Sequence, residues 1–293
     1  MTMQSLWEPK LRIERLFRNA LQEIAKQIIM RIGDAGDIDT IRQTLQKMSK
    51  APELLTYAEA AAMQMVTHLC ADSGKTWRQA AFANSRGREV YQAIQRELQG
   101  KTGRLLLEQV QRNAGIIRTL PNNIADDITQ YIARETLKGR RASDIAEEIK
   151  KKFPEQTKAN ADLIGRTEVS KTQSALVESR ARQFGIEWYV WRAVGGISGD
   201  GRTRKSHRGM AGVLVNWNDP PAPEALFPII GKSGKRYRST LGRYHAGCCP
   251  NCRCYAEPVI SLDMFSWPMR IYRGGSISRI SKREFIKLSG IAA

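Results

Sequence analysis

The hydrophobic pattern of this chain changes its period near Gly185, and this change limits the possible folds more than any other feature. Before it, apolar residues recur at steps of three to five, as from Leu11 to Ile32, which is typical of amphipathic helices. After it, the segment Glu187–Val194 is aromatic and β-branched, which is typical of a strand. The sequence therefore predicts an α+β protein, with a mainly helical N-terminal two-thirds followed by a small irregular β module.

The helical part is a series of periodic segments separated by glycine and proline. Pro121 and Pro154 are expected to end helices, because proline lacks a backbone N–H and clashes with the preceding turn. The predicted helices are Leu11–Ile32, Ile38–Met48, Ala58–Cys70, Thr76–Leu98, Leu105–Leu120, Ile124–Leu137, Asp144–Phe153 and Ala159–Phe184.

The β module has two further candidate strands, Val213–Trp217 and Tyr255–Ile260. Pro258 places the second near a sheet edge, because proline cannot donate to a ladder. The basic segment from Phe265 onward is expected to form an extended arm or a loosely attached helix. We divide the chain into a helical N-terminal region (1–101), a second helical region (102–185), a β part rich in Cys and His (186–262) and a basic C-terminal tail (263–293).

Four of the five cysteines and two of the three histidines lie within residues 198–260. The Cys-x-x-Cys spacing is the commonest way to supply two zinc ligands from one turn, and a further thiol and two imidazoles lie nearby in sequence. A metal here would connect two distant loops and stabilise a small β module. The candidate ligands are His207, His245, Cys249, Cys252 and Cys254.

The residues themselves leave alternatives to a metal open. The cysteines could be reduced and unliganded, with His207 as a hydrogen-bonded structural residue, or two of them could form a disulfide. A reducing compartment favours ligation over a disulfide. A catalytic centre is the third alternative, and it would make the protein a metal-dependent enzyme or toxin that acts on nucleic acid, centred on His207 and the cysteines.

The net charge of +18 favours a polyanionic partner, nucleic acid above all. No apolar run is long enough for a membrane helix, and the first residues do not resemble a signal peptide, so we expect a protein of the cytoplasm that does not contact membrane. The basic residues that we predict to contact DNA are Lys232, Lys235, Arg236, Arg238 and Arg243.

Four blocks, taken together, resemble the Mu F-like minor head proteins of the phage head morphogenesis family. They are Asn113–Pro121, Ile164–Glu168 with its Arg-Thr-Glu, Trp191–Gly212 with its Ser-His, and Asn251-Cys-Arg-Cys254. They occur in the order found in the family and extend over about half the chain, to Ile260. The combination is far more specific than any single block.

The resemblance implies a minor capsid or head morphogenesis protein rather than an enzyme. Segments 102–185 and 186–262 would be the helical and β parts of a Mu F-like domain, with a structural zinc in the second. Arg166, Glu168 and Arg202 are candidate structural tethers between elements; the alternative for Arg166 and Glu168 is a solvated first turn of a helix. The expected location is the virion head, and the host cytoplasm during assembly. The expected partners are the portal protein, the major capsid protein or both, and phage DNA bound without sequence specificity during packaging; self-association stays open.

Overall fold

The computed structural model of the protein describes residues 7–35, 37–82, 100–195, 201–228 and 239–290. It confirms the predicted fold class, because long helices precede a small mixed sheet. The long helices are α1 (Leu11–Asp34), α2 (Ile38–Lys50), α3 (Pro52–Phe82), α4 (Lys101–Leu137) and α5 (Ala142–Gln183). Helix α3 joins the predicted segment Ala58–Cys70 to the start of Thr76–Leu98, and residues 83–98 of that prediction lie outside the described residues.

Local chemistry explains where the helices begin. At the start of α2, the side chain of Asp37 accepts a hydrogen bond of 2.8 Å from the Thr40 amide, which otherwise has no partner in the first turn. In α1, the later part of the predicted apolar stripe is buried, from Leu21 through Ile24 and Ile28 to Ile32, whereas Leu11 and Leu16 are exposed. Burial of this stripe, more than intrinsic propensity, stabilises such helices.

The prediction that proline ends two helices is wrong. Helix α4 continues through Pro121 and α5 continues through Pro154. A proline inside a helix costs about 3 kcal/mol through its lost hydrogen bond and its clash. Leu120 and Ile124 are buried on either side of the first proline, and Phe153 is buried beside the second. Because each fully buried side chain of this size contributes about 1.5–3 kcal/mol, packing outweighs the interruption.

The sheet contains five strands in the order β3-β1-β2-β4-β5, with bounds β1 (Trp188–Arg192), β2 (Val213–Asn216), β3 (Tyr255–Pro258), β4 (Met269–Arg273) and β5 (Ser276–Ile280). Strand β1 pairs antiparallel with β2 and β3, β2 pairs parallel with β4, and β4 pairs antiparallel with β5. The first three strands match the predicted segments, and β3, which contains Pro258, lies at an edge as expected. Short helices α6 (Lys205–Met210), α7 (Pro223–Leu226) and α8 (Lys282–Ser289) accompany the sheet.

Both faces of the sheet are buried at strand β1. Tyr189 and Trp191 of β1 face one core cluster, which includes the buried cysteines, whereas Trp188 and Val190 face another. The second cluster is completed by Phe285 of α8, which is fully buried. Alternate residues of a strand point to opposite faces, which explains why the first four residues of β1 are all aromatic or β-branched and buried.

The expectation of an extended arm or a loosely attached helix after Phe265 is therefore wrong. Residues 269–280 form β4 and β5 of the sheet, and α8 covers one of its faces. Helix α8 is closed at both ends, by the capping box of Ser281 and Glu284 and by Gly290 in the left-handed conformation. The sequence shows these caps, but the sheet position of β4 depends on pairing with β2, which is distant in the chain.

The chain separates into two compact units that are discontinuous in sequence. One consists of Met1–Lys10, Leu69–Leu105 and Ser170–Ala293, and contains the sheet. The other consists of Leu11–His68 and Leu106–Val169, and its buried core includes Leu21, Ile28, Ile41, Leu45 and Ile117. Among the helices that the structure describes, none has the length and apolar character needed to cross a bilayer.

Candidate metal centre

Four of the five cysteines lie in a loop, residues 244–254, that packs on helix α5. The Ser174 hydroxyl of α5 donates a hydrogen bond of 2.9 Å to the carbonyl of Ala246. Gly247 has a φ of +86°, and a Cβ at this position would lie 2.9 Å from the carbonyl oxygen of Cys254 and 3.0 Å from the hydroxyl oxygen of Ser170. Only glycine fits this conformation and this close approach, so Gly247 sets the path of the cysteine loop.

The Cys-Pro-Asn-Cys turn bends tightly, and both of its cysteines are buried. Asn251 adopts a φ of 56°, a left-handed conformation that asparagine tolerates better than most residues. The backbone amide of Cys254 donates to Cys252 Sγ over 3.3 Å. An amide directed at a sulfur stabilises negative charge there, which favours the thiolate that a metal requires.

His207 is presented by the short helix α6, which precedes strand β2. The side chain is buried, with 2% of the residue exposed, and it packs edge-on against Trp191 of β1 with ring centroids 5.6 Å apart. Since α6 is too short to be stable alone, its position depends on contacts with the sheet and the cysteine loop.

His207 meets two of the cysteines. Its Nδ1 atom lies 3.4 Å from Cys252 Sγ and 3.5 Å from Cys254 Sγ. The three donor atoms lie within 4.8 Å of one another, and all three residues are buried. We call these residues the ligand triad. Within the part of the chain that the structure describes, this is the group of His, Cys, Asp or Glu side chains whose spacing suits a metal ion.

The other two predicted ligands lie outside the ligand triad. Cys249 is buried, and its Sγ accepts a hydrogen bond of 3.1 Å from Nη1 of Arg204. His245 contacts Tyr189 instead, with 3.1 Å between its Nδ1 and the phenolic oxygen, and packs edge-on against Trp217. The Cys-x-x-Cys spacing therefore does not by itself identify the pair of thiols that converge: the converging pair is Cys252 and Cys254.

The outer side of the His207 ring faces a polar network that sequence reasoning missed. Nε2 lies 2.9 Å from the hydroxyl of Tyr244, and that hydroxyl lies 2.8 and 2.7 Å from the two carboxylate oxygens of Glu224. The Ser206 hydroxyl donates to the same carboxylate over 3.1 Å. Tyr244 begins the cysteine loop and Glu224 lies in α7, so no local spacing in the sequence connects either to His207.

The pKa values of the ligand triad follow from burial and mutual proximity. Burial alone would lower the pKa of His207, but the thiols of Cys249 and Cys252 raise it to about 9. A hydrogen bond from the neighbouring Cys254 thiol holds the pKa of Cys252 well below its usual range. The pKa of Cys254 is correspondingly raised by its hydrogen bond to Cys252 and by burial. Cys252 is therefore the thiol that most readily becomes a thiolate.

The donor set suits zinc. Two thiols and one imidazole are borderline-soft ligands of the kind that zinc prefers, and structural zinc sites combine Cys and His in this way. A metal bound there would join α6 to the cysteine loop. Its coordination bonds would connect segments that lie more than 40 residues apart in the chain. Cys249 is a further thiol that could complete four ligands, since it also raises the pKa of His207.

Two of the three predicted tether residues make ion pairs with other helices. Arg166 pairs with Glu14 of α1 over 3.5 Å, and Glu168, whose side chain is 6% exposed, pairs with Arg112 of α4. Arg202 is exposed in the bend before α6. Arg204 contacts the cysteine loop, through Cys249 and through a hydrogen bond of 2.9 Å from its Nη2 to the carbonyl of Pro250.

Of the residues predicted to contact DNA, Arg243 is described. Its guanidinium pairs with Asp219 and donates to the carbonyl of Pro220 over 2.7 Å, so much of its hydrogen-bonding capacity is used within the protein. The other four, Lys232, Lys235, Arg236 and Arg238, lie outside the described residues.

Comparison with known proteins supports the family resemblance. Residues 122–257 match the family described as phage Mu protein F like protein. An uncharacterized protein of Haemophilus influenzae is 27% identical over 148 residues, which are 50% of this chain and 28% of that protein. The chain thus matches little more than a quarter of that relative's length. No solved structure matches significantly.

Proposed function

Since residues 122–257 are a phage Mu F-like segment, which points to head morphogenesis, we propose that this protein is a minor structural component of a tailed-phage head. In this role it docks at the portal or the inner shell, binds packaged DNA without sequence specificity, and uses a structural zinc at the ligand triad. The match to the Mu F-like family carries the proposal, and the buried ligand triad supports its structural character.

Burial favours a structural metal over a catalytic one. Catalytic zinc keeps an open coordination position that substrate can reach, whereas structural zinc is enclosed by protein. His207, Cys252 and Cys254 are exposed by only 2%, 3% and 4%. A ligand triad enclosed to this degree suits a metal that holds α6 and the cysteine loop together.

Metal analysis tests the zinc directly. We expect full-length protein, purified without added zinc, to contain about one zinc per chain by elemental analysis. His207→Ala and Cys252→Ser should lose it, whereas His245→Ala, a matched histidine change outside the ligand triad, should keep it. Full native reactivity of all five thiols and a metal content near zero would refute the structural zinc.

DNA binding is supported by the net charge and by exposed arginines and lysines on the C-terminal elements. Arg273 ends β4, Arg279 lies on the edge strand β5, and Arg283 and Lys287 lie on α8; all four are exposed. Phosphate contacts from such side chains are independent of sequence and release counterions, so binding weakens steeply with salt.

A charge-matched pair of double variants tests this surface. Arg279→Gln with Arg283→Gln should weaken binding to a duplex of arbitrary sequence and reduce the slope of log affinity against log salt by about 2, since each phosphate contact contributes about 0.9. Lys47→Gln with Lys50→Gln removes the same charge from exposed positions on α2 and should leave the slope nearly unchanged. Equal slopes for both double variants would reject the proposed surface, and salt-insensitive binding would reject the DNA role.

Assembly is tested in the phage itself. If the protein is a head component, it should co-purify with portal or major capsid protein from lysates of infected or induced cells, and it should be present in purified heads. A protein that stays free of head particles would contradict the proposal. Incubation with plasmid and divalent metals tests the alternative: cleavage that His207→Ala abolishes would indicate a nucleic-acid enzyme instead.

A further inference from the structure

The hydrogen bonds on the outer side of His207 determine which of its ring nitrogens carries the proton when the imidazole is neutral. The other nitrogen is then the one that can bind a metal. A carboxylate can only accept, so the single proton of the Tyr244 hydroxyl is donated to Glu224, 2.7–2.8 Å away. The Tyr244 oxygen is then left to accept from Nε2–H of His207 over 2.9 Å. With its one proton on Nε2, neutral imidazole presents the lone pair of Nδ1 to Cys252 and Cys254.

We infer that Tyr244 and Glu224 are positioning residues that hold His207 with Nδ1 as its metal-binding atom. This inference rests on the proposed metal site and adds to it the atom that binds and the residues that orient it. Outer partners of this kind fix the tautomer and ring orientation of a ligating histidine and raise its basicity. Ser206, which also donates to Glu224, holds the carboxylate in place.

The network is built from separate elements, which makes it a specific arrangement rather than a local turn. Glu224 belongs to α7, Tyr244 to the cysteine loop and His207 to α6. All three are well enclosed, and Tyr244 is 9% exposed. The packing of Trp191 against the imidazole ring adds a third constraint on its orientation.

The molecule contains its own control for this experiment. Tyr189 also places its hydroxyl against a histidine, 3.1 Å from Nδ1 of His245, and it is fully buried. Tyr189→Phe therefore deletes the same atom from the same kind of Tyr–His contact, but at a histidine outside the ligand triad; the hydroxyl also has a hydrogen bond with the Ala246 backbone, which this change removes.

Zinc affinity of the full-length protein, measured by competition with a chromogenic chelator, tests the inference. We expect Tyr244→Phe to weaken zinc binding by about 10–100-fold, and Glu224→Gln by about tenfold. Tyr189→Phe should stay within about twofold of the wild-type value. The double variant of Tyr244 and Glu224 should lose little more than Tyr244→Phe alone, because both act through one hydrogen-bonded chain.

A spectroscopic readout separates positioning from general stability. The chain has three histidines, so histidine-selective ¹⁵N labelling of the zinc-loaded protein gives a simple spectrum. It should show His207 protonated at Nε2 and metal-bound at Nδ1. Metal bound at Nε2, or unchanged affinity in both Tyr244→Phe and Glu224→Gln, would overturn the positioning role alone. Wild-type protein that binds no zinc would overturn the metal site and this role together. Should Tyr244→Phe fail to fold, Glu224→Gln, which keeps the tyrosine ring, decides.

Discussion

Substitution of Gly247 by alanine tests whether the cysteine loop depends on close contact with helix α5. Two separate costs are expected. The residue has a φ of +86°, and a left-handed conformation costs an L-residue with a side chain about 1–2 kcal/mol. The new Cβ would also meet the carbonyl oxygen of Cys254 at 2.9 Å and the hydroxyl oxygen of Ser170 at 3.0 Å. Overpacking of this kind costs about 1–3 kcal/mol.

Gly242 provides a matched control within the same unit. It also has a positive φ, +64°, but nothing lies within 4 Å of a Cβ built there. Gly242→Ala should therefore cost about 1–2 kcal/mol, from the backbone conformation alone. Gly247→Ala should cost about 2–5 kcal/mol, the same conformational term plus the collision.

Urea unfolding followed by tryptophan fluorescence measures both free energies. A second readout is zinc affinity, since the collision involves the carbonyl group of Cys254, whose own thiol belongs to the ligand triad. We expect Gly247→Ala to weaken zinc binding and Gly242→Ala to leave it unchanged. Equal losses of stability in the two variants, with equal zinc affinity, would refute the idea that close packing on α5 positions the cysteine loop.

Three further predictions concern other parts of the chain. Phe285→Ala should cost about 3–5 kcal/mol in urea unfolding, because the ring is fully buried against Trp188 and Trp267. Met264→Ala, at a half-exposed side chain, should change stability by no more than about 0.5 kcal/mol. A small loss for Phe285→Ala would mean that the C-terminal helix is only loosely attached. Hydrogen bonds from Lys152 and Arg140 hold the pKa of Glu148 at about 2, below its usual 4.5. The stabilising effect of Glu148 is therefore present above about pH 4.5 and is lost as the pH falls toward 2. Glu148→Gln should flatten the pH dependence of unfolding in that window, and an unchanged profile would contradict the assigned shift. Asp37→Ala should cost about 1 kcal/mol in thermal or urea unfolding, since it removes the cap of α2, and Asp39→Ala, two residues on, should cost less.

The candidate site shows how far local spacing can identify ligands. His207, Cys252 and Cys254 were all among the residues selected from the sequence, because Cys and His clustering is visible without a structure. The spacing rule also selected Cys249 as one half of Cys-x-x-Cys, but its sulfur, which accepts from Arg204, is not among the three donor atoms that lie within 4.8 Å of one another. Which thiols converge depends on the tight turn at Asn251 and on the position of α6, and neither can be derived from spacing.

Other residues of the site had no sequence signal at all. Glu224 and Tyr244 are ordinary residues in an irregular segment, and they become significant because α7 and the cysteine loop both approach His207. Pro121 and Pro154 are the converse case, in which a local sequence signal is present but the tertiary structure overrides it. Proline is a strong local signal for the end of a helix, yet the burial of residues on both sides keeps α4 and α5 continuous.

The linear pattern of residues was sufficient to establish the change from helix to strand near Gly185, the first three strands, the edge position of β3 and the Cys/His cluster, because periodicity, β-propensity and residue clustering are local properties. The resemblance to Mu F-like proteins was equally visible there, and the match over residues 122–257 confirms it. Long-range packing decided the rest: the parallel pairing of β2 with β4, the inclusion of the C-terminal segment in the sheet, and the two-cysteine, one-histidine composition of the ligand triad. These depend on contacts between residues far apart in the chain, whose free energies are gained only when the whole core is assembled.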